Sequence, residues 1–244
     1  TMLFSATMPE DIRQLTDECL CQPAVVKVDH DVPLQTVAHA LYPVREHLKL
    51  DLVLELLVRA GSGSVLIFTR TKHRAKRLGA RLKEAGLAAS SLQGNLSQNQ
   101  RRAAMNGFRD GSHQILVATD IASRGIDVSQ VTHVINFDVP VTPDAYTHRI
   151  GRTGRAARSG DAFTLVTEHD GALVQAIERL MKRKIERLRI EGFDYDKPQV
   201  QGPPGPSSAH GHQGHHGHNS PSGHGRIKNP RGGLHRGGRP RHHR

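Results

Sequence analysis

Val65-Leu66-Ile67-Phe68, followed by the basic segment Lys72 to Ala85 and then Gly86, is the stretch whose reading decides the fold. Four consecutive apolar residues predict a strand buried on both faces, as in the interior of a parallel sheet. The segment after it ends at a glycine where a helix needs a C′ residue, so it reads as a helix. A strand followed at once by a helix is half of a βαβ unit, and the chain repeats this unit in both directions. Upstream, Thr36 to Val44 alternates in part as a strand, and Leu48, Leu52, Val53, Leu56 and Leu57 recur at helical spacing within Glu46 to Ala60. Downstream, Ala88 to Leu92 reads as a strand, and Ser97 caps a helix through Phe108 that Gly111 closes. Ile115 to Ala118, Val131 to Asn136 and Ala162 to Val166 supply further strands, Pro143 opens a helix, and Ala172 to Arg189 closes the fold as a last helix. The alternation predicts an α/β fold: a doubly wound parallel sheet with helices on both faces.

The flanks read differently. Met2-Leu3-Phe4 reads as the end of a buried strand, Pro9-Glu10-Asp11 as the first turn of a helix to about Leu20, and Ala24 to Val28 as a short strand. Asp29 to Pro33 reads as a linker, which places a domain boundary near residue 30. Opening on Thr1 inside an apolar run, the chain reads as truncated at its start. After about Pro198, Gly, His, Pro, Ser and Arg dominate, and a disordered tail is expected because so few apolar residues cannot offset chain entropy. The expected organisation is 1–30, 31–196 and a 197–244 tail.

Charge follows the same division. All 23 acidic residues lie within 1–196, whereas eight of the 34 Lys and Arg lie within 197–244, making the tail a polycation. Cys19 and Cys21 lie one residue apart, neither a disulfide framework nor a zinc spacing, and read as thiols of a reducing compartment. With no apolar run near the roughly 20 residues of a membrane span and no signal-peptide pattern, a cytoplasmic, membrane-free protein is expected.

Thr71, Gly94, Thr119, Asp120, Arg124, Asp127 and the segment His148-Arg149-Ile150-Gly151-Arg152-Thr153-Gly154-Arg155 are expected together on one edge of the sheet, where doubly wound folds bind ligands. The last segment holds three arginines and two glycines in eight residues. Guanidinium forks match phosphate oxygens and glycine admits close backbone approach, so the segment reads as a phosphate site.

Ser5-Ala6-Thr7, Leu66 to Lys72, Gln93-Gly94-Asn95 with Gln98 and Arg101, Val117 to Asp127 and His148 to Arg155 together resemble, in order, motifs III, IV, IVa, V and VI of the DEAD-box RNA helicases. The resemblance covers residues 1 to about 196. Within the family the chain looks most like the bacterial RhlE-like group, from Phe68-Thr69-Arg70-Thr71-Lys72-His73 and the stretch Ile185 to Pro198. The resemblance implies two RecA-like domains closing on ATP, Mg²⁺ and RNA, of which only the second is complete here.

It further implies roles. Arg152 and Arg155 match arginine fingers for the γ-phosphate, and His148 a relay between the ATP and RNA sides. Asp127, with Arg124 and Gly125, matches the nucleotide contact, and Thr71, Gly94, Gln98, Arg101 and Thr119 match holders of the RNA backbone. Ser5, Ala6 and Thr7 match the interdomain coupling segment. Such backbone contacts position a strand without reading its bases. The phosphate loop ending in Gly-Lys and the Asp-Glu-Ala-Asp motif do not occur in the 244 residues, so this stretch by itself is expected to be inactive as an ATPase. Seven basic residues of the tail from Arg226 to Arg244, spaced by Gly and Pro, are expected to tether RNA. Its nine histidines are irregularly spaced with no acidic or thiol co-ligand, and no metal site is expected. The alternative reading is a non-catalytic RNA-binding or annealing module; a DNA helicase is disfavoured by the wording of Thr119 to Asp127.

Overall fold

The computed structural model describes residues 1–5, 8, 10–26, 37–123, 131–154 and 160–199. After a first helix, α1 (Glu10–Cys19), the chain builds one sheet from β1 (Val37–Pro43), β2 (Ser64–Phe68), β3 (Ala89–Leu92), β4 (Ile115–Ala118), β5 (Val131–Asn136), β6 (Gly160–Val166) and β7 (Glu186–Arg187). Spatial order is β3-β4-β2-β5-β6-β1-β7, and every neighbouring pair is parallel. The crossovers carry α2 (Lys49–Ala60), α3 (Lys72–Glu84), α4 (Gln98–Arg109), α5 (Pro143–Ile150) and α6 (Gly171–Met181).

The run Val65 to Phe68 is apolar throughout because both faces of β2 are covered. Leu66 and Phe68 point into one core with Phe108, Tyr146, Ile150 and Ile177 from α4, α5 and α6. Val65 and Ile67 point into the other with Leu52, Leu56, Leu78 and Leu82 from α2 and α3. All four are at most 2% exposed. At roughly 1.5–3 kcal/mol per fully buried side chain, an Asp in this run would break the sheet at its centre.

The helix starts follow the capping residues. Thr71 Oγ accepts from the Arg74 N–H at 3.2 Å, and Thr142 does the same for Ala145 ahead of Pro143. Ser97 and Gln100 form a reciprocal capping box at α4.

Three expectations for the elements are corrected. Met2 and Phe4 are largely exposed and belong to no strand; the apolar run has no pairing neighbour among the described residues, and an unpaired strand has no partners for its backbone groups. Ala24 to Val26 are also irregular and exposed, while Lys27 and Val28 lie outside the described residues. The last helix stops at Met181, eight residues short of Arg189, because Lys182 takes the left-handed conformation (φ 53°) and turns the chain back. Glu178 fixes that return: its buried carboxylate accepts from Arg187 Nη1 (2.5 Å), the Ile185 N–H (3.0 Å) and Lys184 Nζ (3.1 Å). These bonds, the Arg187 guanidinium foremost, outweigh burial and hold its pKa down at about 2. The returning chain then adds β7 beside β1.

Candidate functional site

Strands β2, β3, β4 and β5 end in register, with Phe68 beside Ala118 and Asn136, and Leu92 beside Ala118. The residues just past these ends form a polar rim. Thr71 is exposed at the start of α3. Gly94 is exposed after β3, and a Cβ built there would meet nothing within 4 Å, so the backbone is open to a ligand. Gln98 is the exposed first residue of α4, and Arg101, one turn on, donates from Nη2 to the Ala122 carbonyl at 2.6 Å, tying α4 to the loop after β4. Thr119 opens that loop, and its carbonyl accepts from the Ser123 N–H at 2.9 Å. The five residues expected to hold RNA backbone therefore gather at the carboxyl ends of three adjacent strands.

The arginine segment does not join them, which corrects the expectation of a single edge. His148, Arg149 and Ile150 form the last turn of α5, and Gly151 to Gly154 the turn that follows. Thr153 is buried, and its hydroxyl lies 2.7 Å from the carbonyl of Val131 and 2.9 Å from that of Thr132, at the beginning of β5. The reason is topological. A crossover helix must carry the chain back so that the next parallel strand starts at the same end, so whatever follows the helix lies at the amino edge. Arg152 is thus partly buried on a turn at the amino ends of β5 and β6, while His148 is exposed on the preceding helical turn.

That turn is tightly seated. Gly154 has φ +68°, and a Cβ on Gly160, the first residue of β6, would stand 2.1 Å from Thr153 Oγ1 and 2.6 Å from the Gly154 nitrogen. Gly160→Ala is therefore expected to cost about 1–3 kcal/mol through overpacking against backbone. Urea denaturation measures it, and an unchanged midpoint would show that the turn is not held this way.

Arg149 is the residue that reading the sequence missed. Counted there only as one of three phosphate-type arginines, it is 2% exposed and wholly engaged with the protein. Its Nε and Nη2 fork onto the two Asp120 oxygens at 2.6 and 2.8 Å. Nη1 reaches Asn136 Oδ1 at 3.1 Å and the Asp138 carbonyl at 2.8 Å, and the guanidinium carbon sits 5.1 Å from the centre of the Phe68 ring. Asp120 directly follows Thr119, and Arg149 lies three residues before Arg152. This one guanidinium joins the carboxyl-edge rim to the turn at the amino edge. Burying it requires a full set of acceptors, and the signal available in the sequence was the polar Asn136 and Asp138 set among the apolar Val134, Ile135, Phe137 and Val139.

Asp138 extends the connection. Its Oδ2 accepts the Arg70 N–H at 2.8 Å, and its Oδ1 lies 2.9 Å from Arg74 Nη1 and 3.5 Å from the buried Lys49 Nζ. Burial pushes the Lys49 pKa down, and the charge of Asp138 opposes that shift. Asn136 Nδ2 in turn donates to Thr164 Oγ1 at 3.0 Å, reaching β6.

Of the other sequence-predicted residues, Ser5 is exposed near the start of the chain, and Ala6, Thr7, Arg124, Gly125, Asp127 and Arg155 lie outside the described residues. Among the described residues no group of three His, Cys, Asp or Glu is placed to hold a metal ion, and no helix is long and apolar enough to cross a membrane.

Comparison with known proteins gives a consistent answer. Residues 48–157 match the family described as the helicase conserved C-terminal domain. The DEAD-box ATP-dependent RNA helicase CshA of Geobacillus kaustophilus is 42% identical over 195 residues, covering 80% of this chain and 42% of that protein. The chain thus spans about two fifths of the length of this curated relative. Among solved structures, the Escherichia coli DEAD-box protein SrmB, bound to regulator of ribonuclease activity A, matches with a TM-score of 0.61 at 35% identity, over 67% of this chain and 98% of that one. Saccharomyces cerevisiae Dbp5, bound to RNA and ADP BeF3, matches with a TM-score of 0.67 at 31% identity, over 76% of this chain and 50% of that one. The doubly wound parallel sheet is accordingly RecA-like.

Proposed function

Because this chain belongs to the DEAD-box RNA helicases, as their C-terminal helicase domain, we propose that it is one of the two lobes with which an ATP-dependent RNA helicase separates short RNA duplexes or remodels RNA–protein complexes. The observation that carries the reading is the Arg149 fork on Asp120, which ties the loop after β4 to the last turn of α5, between the two groups of proposed site residues.

In this reading Thr71, Gly94, Gln98, Arg101 and Thr119 hold the backbone of a single strand at the carboxyl edge. Their hydroxyl, amide, guanidinium and backbone groups suit phosphate and ribose, and the held strand is bent out of duplex geometry without its bases being read. Arg152, on its seated turn, and Arg155 neutralise charge on the γ-phosphate, as arginine fingers do. A cationic side chain carried by a turn packed between β5 and β6 fits that group. ATP with its Mg²⁺ would supply the phosphoryl chemistry, and both are assigned mainly to the first domain, the one bearing the phosphate loop. Arg124, Gly125 and Asp127 contact the nucleotide, His148 relays between the two sides, and Ser5, Ala6 and Thr7 couple the domains. Residues 1–30 belong to that first domain and 31–196 to the second. The protein works in the cytoplasm, and residues 1–244 alone do not turn over ATP. Within the family, the wording of Phe68 to His73 and of Ile185 to Pro198 supports an RhlE-like assignment.

A full-length chain carrying this domain is expected to unwind a short RNA duplex with ATP and to leave the matched DNA duplex paired. Unwinding of both at equal rates would overturn the RNA assignment, and RNA annealing without ATP hydrolysis would favour a non-catalytic module.

The tail, with no acidic residue between 197 and 244, is assigned as a nonspecific RNA tether. Deleting residues 199–244 is expected to weaken RNA binding and to flatten its dependence on salt. An unchanged affinity across a salt series would mean that the tail is inert towards RNA.

A further inference from the structure

The sheet face opposite α5 carries a cleft of about 410 Å³ between the start of α2 and the exposed side of α3. Its floor is apolar, from Leu50, Leu78 and Phe137, and its wall carries Arg74, Arg77 and Arg81, which fall on one side of α3 at spacings of three and four. We propose that this cleft is a docking site for a short acidic segment of a partner protein, one that places an aliphatic or aromatic side chain on the floor and carboxylates against the arginines.

Charge and shape select this occupant. Helix α3 with Glu84 as its one acid carries Lys72, Arg74, Lys76, Arg77, Arg81 and Lys83. Arg77 is exposed and has no acidic partner among the described residues, and Arg81 meets only Glu84, at 3.6 Å with both side chains more than half exposed, a pair of little worth. Glu46, the acidic residue in the lining, is already taken up by Arg74 and by Lys49. Arg74 is still not saturated, because its buried Nε donates to nothing among the described residues. The chain's own residues 197–244 do not fit as occupant, since they are strongly basic and include no Asp or Glu. The floor argues against RNA: Phe137 is 8% exposed, with the cations of Lys49 and Arg74 over its ring, so it is not the exposed aromatic platform on which bases stack. A volume of this size takes one or two side chains, the scale of a small-ligand pocket.

Docking here has a route to the helicase site. Phe137, in the floor, precedes Asp138, whose carboxylate meets Arg74 and whose carbonyl meets Arg149. A partner that draws Arg74 towards its own carboxylates therefore acts on a group that also supports Arg149.

The test uses the chain from residue 1 to 244 and a fluorescent twelve-residue peptide of Asp and Glu around a central Leu-Phe pair, with a photo-crosslinking side chain beside the pair. Saturable binding is expected, weakened about tenfold or more by Arg77→Glu with Arg81→Glu, as for charge reversal at an interface rim. Crosslinks are expected on α2 or α3, and single-stranded oligouridylate is expected not to compete. Binding unaffected by the charge reversal, or crosslinks only within 200–244, would overturn the proposal. Displacement of the peptide by oligouridylate together with loss of RNA affinity in the double variant would instead make this face an RNA surface. Both substituted residues are exposed, and a circular dichroism melt coincident with the parent chain establishes that the variant is folded.

Discussion

Arg152→Ala in a full-length chain is expected to lower RNA-stimulated ATP turnover by about 10³-fold or more, the range that removing an arginine finger from phosphoryl transfer produces. RNA affinity is expected to change little, because Arg152 and the rim proposed to hold RNA lie at opposite ends of the sheet. Strand β5 separates the two edges with six residues, about 20 Å at ~3.3 Å per residue. Arg152→Lys restores little of the loss, since a lysine keeps the charge but not the planar fork. Steady-state turnover and fluorescence titration of labelled RNA read the two effects separately. A normal turnover number in the alanine variant counts against the finger assignment, and a parallel loss of RNA binding counts against the separation of the two groups.

Arg149→Lys is expected to have the second largest effect, on stability and on coupling. Lysine cannot reach Asp120, Asn136 and the Asp138 carbonyl together, so acceptors now satisfied at 2.6 to 3.1 Å are left wholly or partly unpaired. Removing one partner of a fully buried ion pair costs about 3–5 kcal/mol, and Asp120, with a side chain 44% exposed, recovers part of that from water. A loss of about 2–3 kcal/mol is expected, measured by chemical denaturation. In the full-length chain the variant is expected to keep most of its RNA-independent ATP turnover and to lose most of the stimulation by RNA. A variant as stable as the parent would show that the fork is dispensable.

The fold was legible because its signals were redundant. Val65 to Phe68 could only be a strand buried on both faces, and Thr71, Ser97 and Pro143 each marked a helix start by a local preference that the packing did not override. The last helix was overextended because its end depends on Glu178 meeting Ile185 and Arg187, contacts made by the returning chain. The apolar Met2 to Phe4 reads as a strand from composition, yet a strand exists only where a neighbour pairs with it. At the site, the carboxyl-edge rim followed directly from which loops come after strands. The arginine segment was misplaced because it follows a helix, and a crossover helix ends at the other edge. Arg149 was hidden among surface-like arginines, since only its surroundings show that a guanidinium is buried.

In the proposed mechanism Arg149 on Asp120 transmits RNA binding to the Arg152 turn. The most direct test of this step is a double-mutant cycle in the full-length chain, with Arg149→Lys, Asp120→Asn and the pair, scored by the ratio of ATP turnover at saturating RNA to turnover without RNA. The two groups are in contact, so their effects are expected to be strongly non-additive, with the double variant no worse than the more damaged single variant. Additive losses, or full RNA stimulation in either single variant, would contradict it.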